Sequence, residues 1–304
     1  MNRWVLGVYG FKYPILLTLC HLAFGFCVLA PIMALKSYRT LHRPTWERQW
    51  RGFVAVGTFK VANIVLNNIS LVFISLSLSQ IIRSAIPVVT ALLGVLIERK
   101  VPTRFELGSL IILTAGVVLS VWEGSISGSV YGIVISLSSV VCGAAMLSFS
   151  GAVLSEKLDV LRMTFYTAPV SCTVLLPFFF LQEAGSVGEY WRNNSKVVVL
   201  YILAGGVNAV LYNIIHYLMI QITSAVTTPV IGMVKVIGLV VLSAVVLAEK
   251  DIFTLKMTAG CALALLGFGL YSWARLQKQR PSARDEETTA LLQLPDKQAK
   301  DVSV

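Results

Sequence analysis

The chain is a succession of apolar runs, each about twenty residues long and each ended by a short polar, often basic, stretch. A bilayer core of about 30 Å needs about 20 apolar residues per helix, and in hydrocarbon only helices or closed barrels satisfy every backbone N–H and C=O. Runs that meet this length fall at 14–35, 52–73, 75–97, 107–122, 130–154, 163–182, 197–219, 224–248 and 254–274. The reading is an all-α integral membrane protein of nine spans. Composition agrees: 56% of the residues are hydrophobic, 13% are charged, and the mean hydropathy is +0.78. A soluble domain would have no place for so much apolar surface. The net charge of +10 is not a nucleic-acid footprint, because the basic residues sit in the connections.

Those connections set an orientation. Lys36, Arg39, Arg43, Arg48, Arg51, Arg99, Lys100, Arg104, Lys157, Arg162, Arg275, Lys278 and Arg280 share one side. Arg3, Lys12, Arg192, Lys196, Lys250 and Lys256 share the other. Thirteen against six makes the first side cytosolic, and the C-terminus with it. Asn193-Asn194-Ser195 is then a luminal sequon, with Asn193 as a glycosylation acceptor. The tail 281–304 is polar and expected to be disordered. Within it Glu287, Leu291 and Leu292 have the spacing of an acidic dileucine sorting signal.

Shifting the third and fourth spans by 151 residues lays Glu98 on Glu249, Gly116 on Gly267 and Trp122 on Trp273. The two segments have opposite orientations by the charge count, which is the mark of an inverted-topology repeat. The expected organisation is one transporter domain over 1–280, its halves 1–127 and 128–280. Two halves of five helices total ten. Nine spans therefore read as a ten-helix (5+5) fold lacking its first helix, and a transport-inactive paralogue is one reading of that loss.

No enzyme constellation is present. His21, His42 and His216 are isolated, and no metal-ligand spacing, nucleophile elbow or Walker loop occurs. No metal or cofactor is expected. The five cysteines all lie in apolar runs and read as small packing residues.

Charge at membrane depth carries the functional argument. Lys60, Arg83 and Lys235 lie inside spans with no Asp or Glu mid-span to neutralise them. Buried cations of this kind are costly and mark ligand or ion paths. Three cations without an anion point to an anionic, phosphate-bearing ligand, since Arg grips phosphate oxygens bidentately and Lys supplies a compact charge. A polar set accompanies them: Asn63, Asn67 and Asn68 on the second span, Asn208, Tyr212 and Asn213 on the seventh. The pairs Asn63/Asn67 and Asn208/Tyr212 each share one helix face. Their amides and phenol can bond a base or sugar, or link helices to each other.

The stretch Ser79-Gln-Ile-Ile-Arg-Ser-Ala-Ile-Pro87, the pair Tyr212-Asn213 and the stretch Thr223-Ser-Ala-Val-Thr-Thr-Pro-Val-Ile-Gly-Met-Val-Lys-Val236 together resemble the triose-phosphate/nucleotide-sugar transporter family of the drug/metabolite transporter superfamily. The resemblance implies a ten-helix inverted-repeat exchanger of an endomembrane or plastid membrane. In its phosphate-exchanging members a lysine stands at the Arg83 position, a Lys-Arg pair at 235–236 and a histidine at the Ile64 position. Here Arg83, Lys235 and Val236 replace that set, and the Lys-Val pair is similar to the nucleotide-sugar branch, Golgi UDP-sugar transporters included. The expectation is an antiporter of a cytosolic nucleotide sugar, UDP-galactose or UDP-glucose, for luminal nucleoside monophosphate. Lys235, Arg83, Tyr212, Asn213, Lys60 and Asn67 would form its site. The alternative is an exchanger of triose phosphate or phosphoenolpyruvate for phosphate. Gly-rich helices such as 254–274 leave room for a homodimer.

Overall fold

The computed structural model describes residues 13–74, 76–121, 129–155, 158–234 and 255–279. Among these residues the regular structure is helical: α1 (Pro14–Ala34), α2 (Lys36–Arg39), α3 (His42–Phe73), α4 (Leu76–Arg83), α5 (Ile86–Ile97), α6 (Arg104–Val121), α7 (Val130–Ser155), α8 (Val160–Gln182), α9 (Ala184–Ile222) and α10 (Leu255–Gln279). Seven helical stretches of the described residues are long and apolar enough to cross a membrane. The protein is thus an integral membrane helical bundle. Helix α6 lies at the expected fourth span. Residues 227–234 are helical at the start of the expected eighth, whose remainder, with Lys235, lies outside the described residues.

Two helices run well past the apolar stretch that announces them. Helix α3 begins ten residues before 52, and α9 thirteen residues before 197. Hydropathy marks where lipid begins, whereas the helix continues as long as its backbone ladder does. At the start of α3 an exposed Arg43–Glu47 pair at 2.8 Å supports the ladder at i, i+4 spacing. Asn193 consequently sits within helical α9 rather than in an open loop. Other helix starts are capped by side chains. Thr103 and Glu106 form a reciprocal capping box at α6, with bonds of 2.8 and 3.1 Å. Glu183, from the turn after α8, accepts from the amides of Ile15 and Leu16 at 2.8 and 2.7 Å and so closes the first turn of α1.

The expected third span is not one helix. Helix α4 stops at Arg83, a turn occupies Ser84 and Ala85, and α5 restarts with Pro87 in its first turn. Proline is suited to that place, where its missing N–H is needed by no ladder bond. The hydroxyl of Thr114 on α6 donates to the freed Ser84 carbonyl at 3.2 Å.

Two apolar clusters organise the interior. One joins Phe53 and Val56 of α3 to Leu147 of α7, Met163 and Tyr166 of α8, and Tyr217 of α9. The other joins Ala91 of α5 to Leu110, Leu113 and Val117 of α6, Val230 and Met233, and Ala264 and Tyr271 of α10. In the second cluster α6 and α10 cross antiparallel at backbone contact distance. A Cβ on Gly116 would stand 2.3 Å from the Ala264 nitrogen, one on Gly267 would stand 2.4 Å from the Leu113 nitrogen, and one on Gly260 would stand 2.4 Å from the Ser120 nitrogen. No side chain fits at these three points, which is how small residues let membrane helices approach.

Candidate functional site

Between the two clusters lies a cavity of about 560 Å³. Val117 and Met233 reach it from one cluster, Leu147 and Tyr217 from the other. Its polar lining comes from α3 (Lys60, Asn63), from the α4–α5 break (Gln80, Arg83, Ser84), from α9 (Tyr212, Asn213, His216) and from Thr228. The helix break thus delivers Arg83 to the cavity from the last turn of α4, where the carbonyl end of the dipole favours a cation. Discontinuous helices that present their ends to a central site recur in secondary transporters.

Each cation is held by neutral oxygen. The Arg83 guanidinium donates to Asn67 Oδ1 at 3.0 Å and to Asn63 Oδ1 at 3.5 Å. Asn63 Oδ1 also accepts from the Ser139 hydroxyl at 3.0 Å, which ties the cradle to α7. Gly143, one turn further on α7, makes room for it, since a Cβ there would press on the Asn63 amide at 3.3 Å. Lys60 Nζ donates to Asn213 Oδ1 at 2.7 Å across 153 positions of sequence. Asn213 is itself oriented by its Nδ2, which donates to the Ala209 carbonyl at 2.8 Å. Amide oxygens satisfy N–H donors without cancelling their charge. Among the described residues the ion pairs lie elsewhere, as Arg43–Glu47, Lys100–Glu98 and Glu106 with Arg275 and Lys278. Among the described residues, the cavity therefore faces two cationic side chains balanced by no carboxylate.

Lys60, Asn63 and Asn67 stand at i, i+3 and i+7 on one face of α3. With a rise of about 1.5 Å per residue, the Lys60 charge and the Arg83 cradle occupy successive levels of the same wall. Tyr212, 62% exposed, lines that cavity with its ring stacked on His216, the centroids 5.9 Å apart and the planes 12° from parallel.

Of the residues expected from sequence, the structure brings together Lys60, Arg83, Asn67, Tyr212 and Asn213. Lys235 lies outside the described residues, as do Glu287, Leu291 and Leu292. Asn63 proves as central as Asn67, and its i, i+4 relation to Asn67 was the available signal. His216, isolated with respect to metal-ligand spacing, stands one turn from Tyr212 and joins the cavity lining.

The sequence profile of the Triose-phosphate Transporter family matches residues 1–272. The chain belongs to this family. Members of the Triose-phosphate Transporter family move solutes across membranes and are not enzymes. Three relatives come from Arabidopsis thaliana. A probable sugar phosphate/phosphate translocator is 29% identical over 90% of this chain and 90% of its own length. UDP-uronic acid transporter 1 is 28% identical over 89% and 88%, and a GDP-mannose transporter is 29% identical over 92% and 83%. A solved crystal structure shares the fold, with a TM-score of 0.61 at 14% identity over 88% of this chain and 90% of that one.

Proposed function

We propose that this family member is an antiporter exchanging a cytosolic nucleotide sugar, UDP-galactose or UDP-glucose, for luminal nucleoside monophosphate across a Golgi membrane. The observation that carries the reading is the pair of cations, Lys60 and Arg83, that face one cavity and, among the described residues, are hydrogen-bonded to amide oxygens rather than to a carboxylate. An anion supplied by the ligand is the missing countercharge. A loaded carrier would neutralise its buried charge and convert between its two states more readily than an empty one, which is differential stabilisation by ligand. Because both exchanged species carry phosphate, the same cations serve both legs. Lys235, by its position in the sequence, would join them, and Asn67 would act through Arg83.

Size favours the nucleotide. Sites that enclose drug-sized ligands measure about 300–1,000 Å³, and about 560 Å³ is generous for a three-carbon phosphate. The stacked Tyr212 and His216 rings offer a flat aromatic face for a base. Among the relatives, the UDP-uronic acid and GDP-mannose transporters favour the nucleotide reading. The sugar phosphate/phosphate translocator favours the alternative, a carrier of small phosphorylated metabolites.

The architecture we infer is an inverted repeat within a single transporter domain, 1–280, its halves meeting near 127 and its C-terminus cytosolic. The α6–α10 crossing supports it, because Gly116 and Gly267, 151 positions apart, make reciprocal contacts there. Labelled UMP exchange in proteoliposomes tests the function. UDP-sugars are expected to compete strongly and triose phosphate weakly. Competition by triose phosphate without competition by UDP-galactose would overturn the nucleotide-sugar reading.

A further inference from the structure

The polar groups of the large cavity are ordered along its length, and helix contacts set the order. Helices α3 and α8 run the same way: Arg162 of α8 donates to Thr45 of α3 at 2.8 Å, and the Ser171 hydroxyl donates to the Gly57 carbonyl at 3.4 Å. Helix α9 returns against α8, since Gln221 donates to the Leu158 carbonyl at 2.9 Å and the Tyr217 hydroxyl meets that of Thr167 at 3.4 Å. Helix α9 is therefore antiparallel to α3, and the Lys60–Asn213 bond fixes their common level. His216 stands one turn to one side of that level, while Tyr212 lies towards the Arg83 side. Helix α4 folds back from the end of α3 and brings Arg83 to Asn63 and Asn67. Gln80, three residues earlier on α4, lies about 4.5 Å further in the same direction. Along α3 the order is thus His216, the Lys60–Asn213 bond, Tyr212, the Arg83 cradle and Gln80.

Most of these groups are already bonded within the protein. Lys60, Asn63, Arg83 and Asn213 hold one another across the helices. Ser84 donates to the Ile81 carbonyl at 2.6 Å and Thr228 to the Ser224 carbonyl at 3.0 Å. Gln80 is different. It lines the cavity and is exposed there, and its amide makes no hydrogen bond among the described residues. An amide carries two N–H donors and a carbonyl acceptor on one planar group. Adjacent hydroxyls of a sugar, each able to donate and to accept, complement that pattern.

We propose that Gln80 determines specificity for the sugar of a nucleotide sugar, hydrogen-bonding the hydroxyls of a neutral hexose. The inference rests on the nucleotide-sugar reading given above and deepens it. The stacked Tyr212 and His216 rings bracket the Lys60 level and take the base; the two cations take the phosphates. The hexose, joined to the far phosphate, then extends past Arg83 to Gln80. A nucleoside monophosphate ends at its phosphate and stops short of the amide. Gln80 therefore acts on one leg of the exchange, in contrast to Lys60 and Arg83, which serve both.

The test compares two competitors of labelled UMP exchange, unlabelled UMP and UDP-galactose, in proteoliposomes of the full-length protein. Gln80→Met keeps the length of the side chain and removes its hydrogen bonds. The ratio of the inhibition constant for UDP-galactose to that for UMP should rise about tenfold over wild type, the loss of a hydrogen-bonded hydroxyl contact. Gln80→Asn, which retains the amide on a shorter stem, should fall between the two. Melting midpoints in detergent should match wild type, because the amide has no partner in the protein to lose. Should Gln80→Met not fold, Gln80→Ala gives the same ratio. A ratio that stays at its wild-type value overturns the inference alone, whether both constants rise together or neither moves. A wild-type protein inhibited by UMP and triose phosphate but not by UDP-galactose overturns the functional reading, and this inference with it.

Discussion

Gly116 and Gly267 occupy reciprocal places in one helix crossing: the first abuts the backbone of Ala264, three residues before Gly267, and the second abuts the backbone of Leu113, three residues before Gly116. Each lacks a side chain because the facing main chain stands where a Cβ would be. Gly116→Ala and Gly267→Ala should therefore each destabilise by about 1–3 kcal/mol through overpacking, despite the better helix propensity of alanine. Thermal melts of the detergent-purified variants decide this. Midpoints at or above wild type would show that the crossing relaxes without cost.

The Glu183 carboxylate closes the first turn of α1 from another helix connection. Glu183→Ala removes the acceptor of two amides and the charge at a helix N-terminus, at a cost of about 1–2 kcal/mol. Because Glu183 does not line the cavity, the KM for UMP should stay at its wild-type value while the melting midpoint falls. A changed KM with an unchanged midpoint would place Glu183 on the ligand path instead.

What the sequence displayed and what it hid divide along a physical line. Apolar length and the depth of Lys60 and Arg83 are properties of one segment, so they could be read directly. The break at Ser84–Ala85 is hidden because the apolar run 75–97 continues across it, and Pro87 marks the restart only once the helix boundaries are seen. The Lys60–Asn213 bond joins residues 153 apart, and no periodicity encodes which neutral partner a buried cation will find. The shift of 151 matched Gly116 to Gly267, but that the two helices touch is a fact of packing alone. His21 and His216 have no partners at metal-ligand spacing in the sequence, and most of the residues they meet are distant along the chain.

Arg83 depends on its amide cradle for aim. Asn67→Ala removes the shorter of its two bonds and leaves Asn63, already shared with Ser139. Losing a charge-assisted bond of about 1.5–3 kcal/mol should lower the maximal rate over KM for UMP by roughly ten- to a hundredfold. Arg83→Lys should retain more exchange than Arg83→Gln, since it keeps the charge and loses only the fork. Initial rates in proteoliposomes at matched protein density test the ranking. Equal activity in Lys and Gln variants would remove charge from the explanation.

Asn213 separates a structural role for Lys60 from an electrostatic one. Asn213→Asp keeps the shape and the bond to Nζ but places a carboxylate beside the ammonium. The aspartate keeps the bond to the ammonium but has no N–H for the Ala209 carbonyl, so the melting midpoint should fall no further than in Asn213→Ala, which loses both bonds. The cavity, however, would lose one of its two uncompensated charges, and a phosphate ligand would meet an anion where it needs a cation. The KM for UMP should therefore rise more in Asn213→Asp than in Asn213→Ala, although the aspartate is the closer mimic. If Lys60 serves only to tie α3 to α9, the order reverses, with Asp near wild type and Ala impaired. Exchange kinetics on these two variants thus decide whether the charge of Lys60 is directed at the ligand or spent on the fold.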